Sequence, residues 1–226
     1  AGLDTGGADA LRPLASKRAA GVVQLCQRTE YAPSTAAELL DSAYAQLESR
    51  LPFPAERKQA IGDAMSRLIA AVGPAPLVAT EALFNAPESE QSGSGALLAL
   101  SLNPDTCKAC GLCVAVCEPG ALRNERQGSR VLNGARQARA AWERLPNTLP
   151  ATIQRVATLP EPGPLAAMLL GQSAAGAMIG GDGNEPGSGA RLALRLVLGA
   201  LAAQQATAAS DLSEEILDIR ERIVVL

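Results

Sequence analysis

Apolar residues recur at helical spacing through much of the chain. Thr35-x-x-Glu38 is a capping box, and it opens a helix whose face carries Leu40, Tyr44, Leu47 and Leu51. Leu51-Pro-Phe-Pro54 stops that helix. A second follows with Ile61, Met65, Leu68, Ile69 and Val72 on one side, closed by Gly73 and Pro74. The pattern predicts two antiparallel helices joined by a short proline turn. Residues 74–80 suit a short strand. Asn85 to Gly95, acidic and rich in Gly and Ser, reads as a mobile surface loop.

Ala96 to Leu102 then runs apolar into Asn103-Pro104-Asp105 as an incoming strand, with Leu122-Arg123 as the expected return strand. Asn133 to Leu145 is a charged helix bearing Trp142. Five prolines between Pro146 and Pro164 predict an extended connector. Leu165 to Leu170 is helical in pattern. Ser188 to Ala203 is apolar nearly all round, which predicts a buried helix. Asp211-x-x-Glu214 caps a last helix with Leu212, Ile216, Ile219 and Ile223 on one face and an Asp218–Arg222 pair on another. Its apolar end, Ile-Val-Val-Leu226, suits burial within the chain and docking on a neighbouring domain equally well.

Between the two expected strands lies Asp105 to Leu122, DTCKACGLCVAVCEPGAL. It holds Cys107, Cys110, Cys113 and Cys117, separated by two, two and three residues. That is the spacing of a ferredoxin-type iron–sulfur loop. Closely spaced cysteines on a coiled loop converge on a compact cluster without help from distant segments. Gly111 relieves crowding where the backbone wraps the cluster and turns amides toward its sulfurs. Val114 and Val116 are expected to pack beside the cluster and keep water off it.

Other uses of the cysteines fit less well. Structural zinc sites favour two separated Cys-x-x-Cys knuckles or Cys with His, and the chain has no His. Disulfides suit short secreted proteins, and nothing marks this chain as one. A radical-generating motif fails because position 120 is Gly. In two-cluster ferredoxins the fourth cysteine of a motif serves the other cluster, so two clusters need eight cysteines. Five are present, which leaves one [4Fe–4S] cluster. Its fourth thiolate comes either from Cys117 or from Cys26, which lies 81 positions before Cys107. Cys26 sits in the apolar run GVVQLC, where a lone cysteine usually acts as a small hydrophobe. The proline that customarily follows the fourth cysteine is displaced by one, giving Cys117-Glu118-Pro119.

Composition narrows the rest. The chain is 47% hydrophobic but 2% aromatic, so its core is built from Ala, Leu, Val and Ile in closely packed helices. A net charge of −3 leaves no nucleic-acid footprint. Lacking His, the chain excludes a Ser/His/Asp triad, a zinc-protease motif, a Rieske centre and His-ligated haem. No apolar run approaches the roughly 18 residues that span a bilayer. The first residues are not a secretory signal, and the cluster cysteines indicate a reducing, cytoplasmic setting. Residues 1–20 are Gly/Ala-rich with a basic knot from Arg12 to Arg18, expected at a surface. The sequence starts at Ala rather than Met, as a segment of a longer polypeptide would.

Gly176 to Gly189 forms a glycine-rich stretch. It lacks the Lys of a phosphate loop, and Pro186 breaks a dinucleotide fingerprint. It is therefore read as a turn whose Asn184, Glu185 or Ser188 caps the next helix. Cys107-Lys-Ala-Cys-Gly-Leu-Cys113 with Cys117, and Gly180-Gly-Asp-Gly-Asn-Glu-Pro-Gly-Ser-Gly189 leading into an Arg/Leu helix, resemble part of the 2-oxoacid:ferredoxin oxidoreductases. The resemblance implies thiamine diphosphate, coenzyme A and [4Fe–4S] clusters in the whole enzyme. Gly181-Asp-Gly183 matches the opening of the thiamine motif, but no Asn follows Asn184 to complete it. This chain would be the electron-relay part, without a complete thiamine diphosphate site.

These readings give an α+β, mainly helical chain. Residues 1–95 form a helical region with a Gly/Ser loop, and 96–132 a small ferredoxin-like cluster-binding insert. Residues 133–164 form a helix and Pro-rich connector, and 165–226 a C-terminal helical region. The expected function is single-electron relay within a larger oxidoreductase. Partners would be its other domains or subunits and a soluble ferredoxin or flavodoxin, with neither nucleic acid nor membrane involved. The alternative is a structural or assembly subunit in which the cluster only stabilises the fold.

Overall fold

The computed structural model describes residues 21–26, 35–48, 53–172, 174 and 189–224. The chain is mainly helical. It divides into two compact units, Ala1–Pro104 with Arg126–Pro146, and Asp105–Glu125 with Asn147–Leu226.

In the first unit, helices α1 (Ala36–Glu48) and α2 (Ala55–Val72) form the expected pair. The Thr35 hydroxyl accepts the amide of Glu38 at 3.3 Å, one half of the capping box. Two further amides at the start of α1 are satisfied at the end of α2, Ala36 by the Ala75 carbonyl at 2.8 Å and Ala37 by that of Gly73 at 3.1 Å. These bonds hold the helices antiparallel. They also require a close approach: a Cβ on Gly73 would collide with the Ile69 carbonyl oxygen and stand 3.1 Å from the Ala37 methyl.

The α2 face is largely as expected, with Ile61, Ala64 and Met65 buried. On α1 the buried stripe is Ala36, Leu39 and Ala43, while Leu40 and Tyr44 lie half-buried beside it. The core follows from this choice of small residues. One group joins Leu25, Leu39 and Ala43; another joins Ala36, Ala75 and Ala141, and Leu77 packs against both.

Strand β1 (Leu77–Val78) pairs antiparallel with β2 (Leu98–Ala99), placing Leu77 opposite Ala99 and Val78 opposite Leu98. This is the sheet found among the described residues. The incoming strand thus exists, but it pairs with an earlier segment. Leu122-Arg123 is not a strand, and no ferredoxin-like sheet closes around the cysteines.

The segment Asn85 to Gly95 also departs from the loop expected for it. A single π-helical turn, Glu81–Asn85, runs into α3 (Ala86–Glu90). Glu88 is buried, and its carboxylate accepts the amides of Gly93 at 2.7 Å and Gly95 at 2.9 Å. The Ser94 hydroxyl donates to the Pro87 carbonyl at 2.6 Å. An acidic residue here closes a turn instead of facing solvent. Helix α4 is the four-residue Leu112–Ala115 within the cysteine loop, and α5 is Ser129–Trp142.

In the second unit, the proline-rich stretch is two packed helices, α6 (Pro150–Thr158) and α7 (Gly163–Leu169). Pro150 and Pro164 lie in first turns, where a missing amide costs no helical bond. Val156, Thr152 and Ala167 are buried. Thr148 donates to the Leu170 carbonyl, and Asn147 Oδ1 accepts the Gln172 amide at 3.0 Å. Helix α8 runs unbroken for 36 residues from Gly189 to Val224. Asp211 therefore lies inside a helix instead of capping one. The expected burial of its first half is also not met: Leu194, Val197, Leu198 and Leu201 are each about half exposed or more. The Asp218–Arg222 pair is present at 3.9 Å on an open surface. No described helix is long and apolar enough to cross a membrane. The glycine stretch at 176–188 and residues 1–20 lie outside the described residues.

Candidate metal centre

The cysteine loop follows Pro104 and turns on three left-handed residues. Ala109 has φ 51°, Gly111 φ 74° and Gly120 φ 65°. Gly111 stands at the N-terminus of α4, and its carbonyl accepts the amides of Val114 at 3.1 Å and Ala115 at 2.9 Å. The Cys117 carbonyl accepts the Gly120 amide at 2.9 Å, closing the turn through Pro119. Space around Gly111 is open, since an added Cβ would meet only Asn124 Nδ2 at 3.8 Å. The left-handed backbone angle by itself favours glycine at this position. Ala109 holds a left-handed conformation that an L-side chain pays for, and such strain concentrates at functional loops.

Cys107 and Cys113 are exposed, and Cys110 and Cys117 half-buried; none forms a disulfide. Among the described residues, the backbone amides of Cys107 to Gly111 donate to no other backbone carbonyl. Four free thiols, a coiled path and unspent amides match what an iron–sulfur cluster takes as ligands and second-sphere donors. The thiols are not gathered: among the described residues, no three Cys, Asp or Glu side chains converge as a metal site. Val114 is half-buried and Val116 is 75% exposed.

Cys26 has a different environment. It ends the helical stretch 21–26 in the first unit and packs against the group of Leu25, Leu39 and Ala43. Burial pushes its thiol pKa up, which disfavours the thiolate a metal needs. Sequence reasoning missed the left-handed Ala109, which no composition signal marks.

Comparison with known proteins agrees with this chemistry. Residues 100–123 match the family of 4Fe-4S binding domains. The match indicates iron–sulfur cluster binding of the 4Fe–4S type and is in keeping with an electron-transfer role. Neither the curated proteins nor the solved structures return a match.

Proposed function

We propose that this chain is the electron-relay module of a larger iron–sulfur oxidoreductase, working through one [4Fe–4S] cluster held by Cys107, Cys110, Cys113 and Cys117. The observation that carries the reading is the 4Fe-4S match at 100–123 over a loop whose four thiols are free. Bound there, the cluster supplies a one-electron redox couple.

The chain's residues supply ligation and tuning. Four thiolates hold the iron, and the backbone turn at Gly111 offers amides that raise or lower the potential by hydrogen bonding to sulfur. Val114 limits water on one side. Cys117 is preferred to Cys26 as fourth ligand because Cys26 is embedded among apolar side chains. With five cysteines and no His, one cluster and no acid–base machinery is the economical assignment. Electrons would arrive from other domains or subunits and leave to a soluble ferredoxin or flavodoxin, in a reducing cytoplasm. The resemblance of the cysteine loop and of residues 180–189 supports a 2-oxoacid:ferredoxin oxidoreductase as the parent complex.

Anaerobic reconstitution followed by dithionite titration tests the relay. The expected result is an EPR signal on reduction that is lost when oxidised ferredoxin is added. A cluster that stays redox-silent would overturn the relay and leave a structural or assembly subunit.

A further inference from the structure

The segment that leaves the cysteine loop comes back to it. After the turn at Gly120, Asn124 returns to Gly111, which lies 13 positions earlier in the chain. Apart from the two chain neighbours of Gly111, Asn124 Nδ2 is the one heavy atom within 4 Å of a Cβ built on that glycine, at 3.8 Å. Both residues belong to the compact unit that holds all four loop cysteines. The Asn124 side chain is exposed, and among the described residues its carboxamide makes no hydrogen bond. An uncharged amide thus brings two N–H donors to the turn with nothing to receive them. Asn124 lies one residue past the segment that matches the 4Fe-4S family, so the match does not account for it.

The chemistry of the turn says what such a donor does. Cys110 immediately precedes Gly111, so its sulfur belongs to the stretch that Asn124 approaches. Sulfur in an iron–sulfur centre becomes a stronger acceptor when an electron is added. A neutral N–H donor beside it therefore stabilises the reduced state more than the oxidised one and raises the potential. The backbone amides of Cys107 to Gly111 act from within the loop. Asn124 acts from the returning segment, and as a side chain it can be removed without altering the backbone.

We infer that Asn124 tunes the centre: its Nδ2–H donates to the Cys110 sulfur when the cluster is bound and favours the reduced state. The inference rests on the relay reading above and names one residue that sets its potential. An EPR-monitored redox titration of the full chain, reconstituted anaerobically, tests it. Asn124→Ala is expected to hold as much iron and sulfide as wild type and to favour the reduced state about tenfold less, a fall of about 59 mV for one electron. Asn124→Gln keeps the carboxamide on a longer stem and should recover part of that fall. A reducible cluster with the same potential in wild type and Asn124→Ala overturns the inference and leaves the relay standing. A wild-type cluster that cannot be reduced overturns both. Iron loss in Asn124→Ala, or an equal fall in Asn124→Gln, would trace the effect to structure instead of the amide and overturn the tuning role alone.

Discussion

The Trp142 indole N–H donates to the Ala99 carbonyl at 3.2 Å, tying α5 to the strand that leads toward the cysteine loop. Ala99 is also the β2 residue opposite Leu77, so the bond fixes a strand only two residues long. Arg139 reinforces the site, with its guanidinium 4.3 Å from the Trp142 ring and its Nε 2.8 Å from Glu143. An isolated two-residue pairing has little stability of its own. The helix supplies what the sheet lacks.

Trp142→Phe should therefore destabilise the first unit by about 1 kcal/mol, leaving a half-buried carbonyl without its donor. Trp142 is the chain's only tryptophan, so urea unfolding has to be followed by circular dichroism. An unchanged midpoint would mean that the bond contributes nothing net.

Gly111 makes a prediction that separates backbone from side-chain causes. With φ at 74° and only Asn124 Nδ2 near a built Cβ, the penalty for substitution is conformational. Gly111→Ala should cost about 1 kcal/mol or more in the loop and shorten the life of a reconstituted cluster under chelator. Gly111→Asn should be milder despite its bulk, because Asn tolerates left-handed angles. If the larger side chain proves the worse one, crowding is the cause and the angle is not.

The Glu88 carboxylate gives a pH dependence with a definite sign. Amide bonds from Gly93 and Gly95 hold its pKa below the usual carboxylate range, outweighing the opposing effect of burial. A depressed folded pKa contributes stability that is complete above the unfolded value, about 4.3, and is lost as pH falls through the folded one. Denaturant unfolding of wild type and Glu88→Gln should thus differ at pH 6 and converge toward pH 3. A constant difference would show that the two amides do not favour the charged form.

Which features were legible in sequence follows from how local their causes are. The Thr35 cap, the α2 face and the cysteine spacing depend on a few neighbouring residues, and each stands where the pattern put it. Glu88 departs from the pattern because its amide donors lie five and seven positions away, so an acidic Gly/Ser stretch reads as solvated. Pro150 and Pro164 were counted as helix breakers, whereas first-turn prolines start helices. Asp211 looked like a cap, yet Ser210 and Asp211 are simply carried through an Ala-rich helix. The return strand at Leu122 failed because a two-residue β2 was already paired with β1. The missing ferredoxin sheet has the same origin.

The fourth ligand remains the sharpest test of the centre. Cys117 belongs to the loop, and its carbonyl already shapes the turn to Gly120 at 2.9 Å. Cys26 packs against the group of Leu25, Leu39 and Ala43, and burial raises its pKa. Making it a ligand would mean exposing an apolar group and deprotonating a thiol in poor solvent. Each of these opposes binding. Cys26→Ser should therefore retain the full iron and sulfide complement and lose only a little stability from the added hydroxyl in an apolar site. Cys117→Ser should lose iron or hold it weakly, with a changed EPR line shape after anaerobic reconstitution. The reverse pattern, a full complement in Cys117→Ser and loss in Cys26→Ser, would transfer the fourth position to Cys26 and require the first unit to take part in the centre.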